Sequence, residues 1–273
     1  TLVTHGLPQP HGLRVARGLE AAVREAGATP ATIGILAGRV HVGLDARGIE
    51  TLAASNAVKV NPGNLAAVVA AGIAGSTTVA ATAWAAARAG IRVFATGGIG
   101  GVHRGAERSF DVSADLTELG RTPVAVVSAG AKAILDLPRS LEVLETLGVP
   151  VAGYGTGDFP AFYSRSSGLP VSVSVADAAE AAALLRAHWT LGLQSGVLIA
   201  NPIPEAAEMT DAESFIAQAV AEAEDQGVSG KQVTPFLLGR LAELSEGRTQ
   251  AANRALIVNN ARVAAEIAVE LAK

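Results

Sequence analysis

Short apolar runs alternate with longer amphipathic segments along the chain. The apolar runs, which are rich in valine, isoleucine and alanine, are typical of buried strands, and we predict strands at 31–38, 92–98, 123–130, 149–155 and 195–202. The longer segments place apolar residues at helical spacing, and they predict helices at 12–27, 140–148, 176–192, 205–227, 236–247 and 249–272. This alternation predicts an α/β protein, a three-layer α/β/α fold with a parallel or mixed central sheet flanked by helices.

Composition narrows the class of protein. Of the 273 residues, 49% are hydrophobic and 17% are charged, and without a linker or a repeat we expect residues 1–273 to form a single domain. The net charge of −4 argues against nucleic acid as a partner, because phosphate binding needs clustered Lys and Arg. The lack of cysteine excludes disulfides and thiolate sites. Since neither a signal peptide nor a membrane-spanning run is evident, we expect a soluble, cytoplasmic protein with no membrane partner.

The segment 94–116, FATGGIGGVHRGAERSFDVSADL, is dense in glycine and polar residues. Four glycines fall within five residues, which lets backbone N–H groups approach a phosphate closely. The dinucleotide fingerprint is not met, because His103 stands where its third glycine should be. Asp111 and Asp115, with a nearby histidine and hydroxyl groups, could hold a hard divalent cation. A glycine turn followed by a solvated polar loop explains the same residues equally well.

Lys132 stands alone in an apolar run, PVAVVSAGAKAILDL at 123–137. We expect it at the end of a strand and the start of a helix, where burial and the helix dipole both disfavour the ammonium form. The neutral amine could then attack a carbonyl group and form a Schiff base. The alternative is a lysine with a buried stem and a head group at the surface.

Two further positions carry polar side chains in apolar surroundings. Lys59, in AVKVNPGNL, could bind a substrate or simply be an exposed turn residue. Asn259 and Asn260 lie in the helical run ALIVNNARVAAEIAVELA, where their amides could contact a substrate or cap a neighbouring loop.

Taken in order, a set of segments covers nearly the whole chain: THGLPQP, GATPATIG, STTVAATAWAA, FATGGIGGVHRGAE, DVSADL, VVSAGAKAILD, LETLGVPVAGY, FPAFYSRSSG, IANPIPE, GKQVTPFLL and NNA. This set resembles the pseudouridine-5′-phosphate glycosidase family, also called the indigoidine synthase A family. The resemblance implies an α/β/α homotrimer that uses Mn²⁺ and acts on a carbon–carbon glycosidic bond. Such a bond has no leaving oxygen to protonate, so the usual scheme with two carboxylates fails, and an imine supplies the electron sink instead.

The resemblance also implies roles for individual residues. Lys132 would form an imine with open-chain ribose 5-phosphate, and Asp111 would bind the metal; cleavage would release uracil, and the reverse direction would join a carbon acceptor to the sugar. The substrate-binding residues would be Lys59, Val79, Ser113, Ala114, Asp115 and one of Asn259 and Asn260, and we place His103 with them.

Two departures from the family pattern bear on the function. The family's proton-donor glutamate lies in an LEST segment just before the THG motif and is absent from this sequence, so we expect a truncation before Thr1. The family usually reads K-x-S-R-R-D-L after its lysine, whereas this chain reads KVNPGNL from Lys59. Loss of long charged side chains would enlarge the site and weaken recognition of a polar base.

These departures leave several functions open. We favour C-ribosylation of an aromatic polyketide, as in alnumycin-type biosynthesis, and the alternative is an ordinary pseudouridine-5′-phosphate glycosidase. Less favoured are a metal-dependent phosphohydrolase that uses His103, Asp111 and Asp115, and a non-catalytic protein that binds sugar phosphates.

Overall fold

The computed structural model describes residues 2–6, 11–228 and 233–273. Two of the motifs, THGLPQP at 4–10 and GKQVTPFLL at 230–238, lie partly outside these ranges. None of the helices within them combines the length and the apolar character that a membrane crossing requires.

The described chain consists of short strands and of helices of very different lengths. The strands are β1 (Ile33–Leu36), β2 (Arg39–Val42), β3 (Val58–Val60), β4 (Gly75–Thr77), β5 (Val93–Ala95), β6 (Val102–His103), β7 (Ala125–Ser128), β8 (Leu135–Asp136), β9 (Val151–Tyr154), β10 (Val173–Val175) and β11 (Val197–Ala200). The α-helices are α1 (His11–Glu25), α2 (Ala46–Ala54), α3 (Pro62–Ala70), α4 (Val79–Arg88), α5 (Ala106–Ser109), α6 (Ala114–Leu119), α7 (Leu137–Thr146), α8 (Ala178–Thr190), α9 (Ala212–Asp225), α10 (Val233–Leu244) and α11 (Arg248–Leu271). A π-helical turn at Leu2–Gly6 and a 3₁₀ turn at Glu205–Ala207 complete the set.

Five parallel strands form the central sheet, in the order β10-β9-β11-β7-β5. Successive residues of β7 pack on opposite faces of this sheet. Val126 belongs to an apolar cluster with Leu144 of α7, whereas Val127 belongs to a cluster with Leu185 of α8 and Ile267 of α11. A strand that is covered on both faces needs a continuous apolar sequence, which is what β11 and the first three residues of β7 have. The predicted α/β/α fold, with helices on both faces of the sheet, is confirmed.

A second sheet of four strands has the order β2-β1-β4-β3. Strand β1 is antiparallel to β2 and β4, and β3 is parallel to β4. The register of β3 and β4 places Lys59 opposite Ser76, three residues before α4 begins at Val79. Strands β6 and β8 form a separate antiparallel pair beside Lys132.

The structure differs from the predicted elements at several places, among them the following three. The predicted strand 31–38 forms β1 in the second sheet and not in the central one. Strand β10 of the central sheet was not predicted. Two of its three residues are exposed, so it lacks the continuous apolar run by which the other strands were predicted. The predicted helix 205–227 is interrupted at Met209, whose N–H donates to the carbonyl of Tyr163 (2.9 Å) instead of continuing a helix.

Candidate active site

Lys132 lies at the carboxyl end of β7, the edge of a parallel sheet at which open α/β folds bind ligands. Its N–H donates to the carbonyl of Ile99 (3.0 Å), and an adjacent bridge pairs Ile99 with Ala131. The turn before the lysine requires Gly130, which has a φ of 82° and whose Cβ would lie 2.3 Å from the carbonyl oxygen of Pro160. Backbone pairing therefore fixes Lys132 beside the glycine-rich segment.

The surroundings of Lys132 favour its neutral form. Burial lowers the pKa of the Lys132 ammonium group; the carboxylate of Asp115 opposes this shift, and the positive charge of Lys59 adds to it. The predicted helix start at Lys132 is wrong, because α7 begins only at Leu137. The pKa is therefore lowered by burial and by a like charge, and the helix dipole is not the cause.

Asp115 ties the glycine-rich segment to α4. Its buried carboxylate accepts hydrogen bonds from the N–H of Gly100 (2.8 Å) and of Ala80 (2.8 Å). A Cβ at Gly100 would lie 2.2 Å from Oγ of Ser113, so close packing of protein against protein requires glycine here. Ser113 is the N-cap of α6 and accepts from the N–H of Asp115 (3.2 Å), while the next residue, Ala114, is exposed.

His103 and Asp111 face each other across the hairpin-like segment after the glycines. The N–H of His103 donates to the carbonyl of Asp111 (3.0 Å), and Nε2 of His103 lies 3.9 Å from Oδ2 of Asp111. Burial lowers the pKa of His103; Asp111 opposes this shift, and the charges of Lys132 and Lys59 add to it. The three predicted site residues His103, Lys132 and Lys59 are therefore close enough to interact electrostatically.

Lys59 and Val79 come from the second sheet. Lys59 is exposed in β3, and its carbonyl accepts a hydrogen bond from Nδ2 of Asn64 (3.1 Å). Oδ1 of Asn64 accepts from the N–H of Asn61 (2.9 Å), which completes a capping box at the start of α3. Asn61 and Asn64 thus order the start of the helix that follows Lys59. Val79 is the buried first residue of α4.

An apolar cavity of about 750 Å³ adjoins the lysine. Of the predicted site residues, Lys132 and Val79 line it, whereas the others lie outside its wall. Around Lys132 the wall also includes Thr77, Thr78, Gly97, Gly98, Phe162, Tyr163 and Asn253.

The asparagines of α11 divide into a buried, a partly exposed and a cavity-lining residue. Asn260 is fully buried, and its Nδ2 donates to the carbonyl of Thr96 (2.8 Å). Asn259 instead accepts from the guanidinium of Arg262 (3.1 Å), and neither of these two asparagines lines the cavity. Asn253, which sequence reasoning missed, does line it. A helical stripe of Asn253, Ile257 and Ala261 along the cavity would have indicated this residue.

The donor set near Asp111 suits a hydrated metal ion. Within the described ranges, no group of three or more His, Cys, Asp or Glu side chains could together hold a metal. The Asp111 side chain is 46% exposed, so a divalent ion bound there would keep water as most of its ligands, as small hard cations commonly do. The described residues therefore fit an ion held by one carboxylate, with His103 beside it, and do not fit a closed protein cage.

Comparison with known proteins identifies the family. The chain belongs to the family described as indigoidine synthase A like protein, whose model matches residues 1–270. The predicted resemblance is thereby confirmed. A relative from Paracoccus denitrificans, named pseudouridine-5′-phosphate glycosidase, is 57% identical over 277 residues, which cover 100% of this chain and 91% of the relative.

Solved structures share the fold. The prealnumycin C-glycosynthase AlnA, crystallised in complex with ribulose 5-phosphate, is similar with a TM-score of 0.91 and 41% identity over 99% of this chain and 89% of that one. An indigoidine synthase A-like protein from Thermotoga maritima is similar with a TM-score of 0.92 and 38% identity, over 100% of this chain and 91% of that one.

Proposed function

We propose that this protein hydrolyses pseudouridine 5′-phosphate to uracil and ribose 5-phosphate through an imine at Lys132. The observation that carries the proposal is the half-buried amine of Lys132, which has a lowered pKa and lines a cavity beside the glycine-rich segment. A neutral amine is the nucleophile that imine chemistry needs.

The proposed reaction balances without a redox partner. Nζ of Lys132 bonds to C1′ of the sugar while the ring oxygen leaves C1′ and takes a proton. The nitrogen lone pair then forms the C=N bond, and the electron pair of the C1′–C5 bond leaves with the base, which takes a proton at C5. Water then adds to the imine carbon. The carbinolamine that forms expels the amine, which regenerates Lys132 and releases ribose 5-phosphate. The sum consumes one water molecule.

The neighbouring residues fit supporting roles in this reaction. Lys59 is exposed, and its positive charge lowers the pKa of both Lys132 and His103. We therefore assign to Lys59 the role of binding the substrate phosphate. Asp115 holds Gly100 and α4 in place while its charge acts on Lys132. We assign Val79 and Asn253 to the wall against which the substrate lies.

Mn²⁺ remains part of the proposal. Asp111 would hold it, and the bound ion would supply positive charge for ordering phosphate and water. Asp111→Asn should therefore weaken Mn²⁺ binding at least tenfold, which electron paramagnetic resonance of free Mn²⁺ measures without an activity assay. Unchanged binding would refute the assignment of Asp111. A homotrimer also remains a prediction, and sedimentation velocity would test it.

A second candidate is C-ribosylation of an aromatic acceptor, which we favoured from the sequence. It is supported by the 41% identity to a C-glycosynthase and by the size and apolar wall of the cavity. The relative named as a glycosidase is 57% identical, so the comparisons support the hydrolytic reaction better.

Borohydride trapping with ribose 5-phosphate tests the shared chemistry. We expect a covalent sugar adduct on the tryptic peptide that contains Lys132 and no adduct in Lys132→Ala. An unmodified Lys132 under these conditions would refute the imine. Release of free phosphate by Lys132→Ala would indicate a phosphohydrolase instead, and binding of the sugar without any turnover would indicate a binding protein.

Parallel assays distinguish the two candidates. Uracil release from pseudouridine 5′-phosphate supports the glycosidase. A ribosylated polycyclic aromatic product from ribose 5-phosphate, together with the absence of uracil release, would replace it with the C-ribosylating enzyme.

A further inference from the structure

Phe110 is exposed to an unusual degree for its residue type. Its exposed fraction is 85%, the largest among the big apolar side chains in the described ranges, and Leu191 follows at 77%. An aromatic ring in water forgoes the free energy that burial would give it. The ring of Phe110 is therefore available to contact a molecule outside its own chain.

The backbone holds Phe110 in a conformation that its side chain disfavours. Its φ of 54° and ψ of 25° lie in the left-handed region, where a Cβ crowds the following carbonyl oxygen. The conformation is fixed from both sides, since the N–H of Phe110 donates to the carbonyl of Ala106 (2.8 Å) and the N–H of Asp111 donates to Oγ of Ser109 (3.2 Å). Such local strain is typical of functional positions.

The same segment joins Phe110 to the candidate active site. Its neighbour Asp111 pairs with His103 through the backbone (3.0 Å) and lies 3.9 Å from the imidazole. His103 in turn pairs with Leu135 in the register of β6 and β8, three residues after Lys132. Phe110 therefore lies on the segment that borders Lys132.

The charged residues of the site do not account for binding of the base of the proposed substrate. The sugar phosphate is charged and would bind Lys132 and the neighbouring cations, whereas the base is planar and neutral. A planar base gains affinity from stacking on an aromatic face.

We propose that Phe110 is a specificity-determining residue whose ring stacks on the planar base of the substrate. This inference rests on the proposed function and deepens it. Stacking on one aromatic ring corresponds to an effect of about tenfold to a hundredfold on kcat/KM. The effect should be confined to substrates that carry a base, because free ribose 5-phosphate has nothing to stack.

Three substitutions test the ring. Phe110→Leu removes the aromatic face and should lower kcat/KM for pseudouridine 5′-phosphate about tenfold to a hundredfold. Phe110→Tyr keeps the aromatic face, and its kcat/KM should stay within about threefold of the wild-type value. Phe110→Asn, a residue that tolerates the left-handed region, should lose activity like Phe110→Leu while its Tm is unchanged or higher. The control is Leu191→Ala, at an exposed apolar residue just after α8, and it should leave kcat/KM unchanged.

A second readout separates this proposal from the proposed function. Borohydride trapping of ribose 5-phosphate at Lys132 should stay within about twofold in Phe110→Leu, since no base takes part. Unchanged kcat/KM in Phe110→Leu, an equal loss in trapping, or a lower oligomer mass by light scattering would each overturn the stacking role. If the wild-type protein neither forms the trapped adduct nor releases uracil, the proposed function fails, and this inference fails with it.

Discussion

The two lysines of the candidate site come from different sheets and have different surroundings. Lys132 follows β7 of the parallel sheet, is half-buried and has a lowered pKa because of that burial. Lys59 lies in β3 of the mixed sheet and is exposed. A buried amine is disposed to act as a nucleophile, whereas an exposed ammonium group can meet a phosphate without first being desolvated. The comparison suggests that the parallel sheet supplies the reacting group and the mixed sheet supplies charge.

Asp115 couples these two regions. One oxygen of its carboxylate accepts from Ala80, in the helix that follows β4 of the mixed sheet, and the other accepts from Gly100, beside the parallel sheet. The same carboxylate raises the pKa of Lys132 while Lys59 lowers it. The two charges therefore act on the pKa of Lys132 in opposite directions, and removing each one should separate their effects.

Removing the proposed nucleophile should have the largest effect. Lys132→Met should lower uracil release by about four orders of magnitude, as expected for loss of a covalent catalyst. Stability should respond differently, because the folded protein loses the lysine proton at a lower pH than the unfolded chain does. The unfolded state binds more protons between the lowered pKa and about 10.5, so the stability of the unmodified protein should rise with pH in that window.

Urea unfolding between pH 7 and pH 10.5 measures this slope. Lys132→Met should flatten it, whereas Lys273→Met, at an exposed lysine on the last residue, should leave it in place. An equal slope in all three proteins would contradict the assigned burial effect.

Asp115→Asn should have the next largest effect. An amide offers one acceptor oxygen, so either Gly100 or Ala80 loses its hydrogen-bond partner, at a cost of about 2 kcal/mol in the free energy of unfolding. With the negative charge gone, the pKa of Lys132 falls further, and the acid limb of the kcat pH profile should move to lower pH.

A matched control for this variant is Glu118→Gln. The buried Glu118 also accepts with both carboxylate oxygens, Oε2 from the guanidinium of Arg121 (2.6 Å) and Oε1 from the hydroxyl of Thr122 (2.6 Å), so an amide there likewise leaves one donor without its partner. Its replacement should leave the acid limb unmoved. A shift of equal size in both variants would show that the change in pH dependence comes from lost rigidity and not from charge.

Removing the exposed charge should have a smaller and opposite effect on the pH profile. Lys59→Met takes away a positive charge that lowers the pKa of Lys132, so the acid limb should move to higher pH. The KM for the phosphorylated substrate should rise about tenfold, as loss of one charge-assisted contact implies. Lys59→Arg retains the charge and should keep the acid limb in place. If the acid limb also moves in Lys59→Arg, the shift comes from the changed shape of the side chain and not from the loss of its charge.

The two sheets also differ in how far the sequence predicts them. Strands β7, β9 and β11 follow from their apolar runs, because a strand covered on both faces must be apolar throughout. Strands β3 and β4 have three residues each, and β3 (VKV) is exposed at two of them. Their pairing is decided by tertiary contacts, so local pattern does not reveal them. The surroundings of Lys59 were therefore less predictable than those of Lys132.

The site itself was predictable only in part. The residues and motifs indicated Lys132 as a candidate nucleophile, but the cause of its lowered pKa depends on burial and on Lys59, which is 73 positions away in the sequence and close only in the fold. Adjacent asparagines in a helix point about 100° apart, so only the packing of α11 decides which of Asn259 and Asn260 is buried.

That packing leads to the smallest predicted effects, which concern stability alone. Asn260 joins α11 to the central sheet: its amide donates to the carbonyl of Thr96 (2.8 Å) and its oxygen accepts from Asn201 (2.9 Å). Asn260→Ala leaves buried partners without hydrogen bonds and should cost about 2 kcal/mol in the free energy of unfolding. Asn259→Ala, one residue away and bonded only to the exposed Arg262, should stay within about 0.5 kcal/mol of the unmodified protein. Urea unfolding monitored by circular dichroism compares the two, and equal costs would mean that the buried amide does not anchor the turn that leads into Gly97 and the site of Lys132.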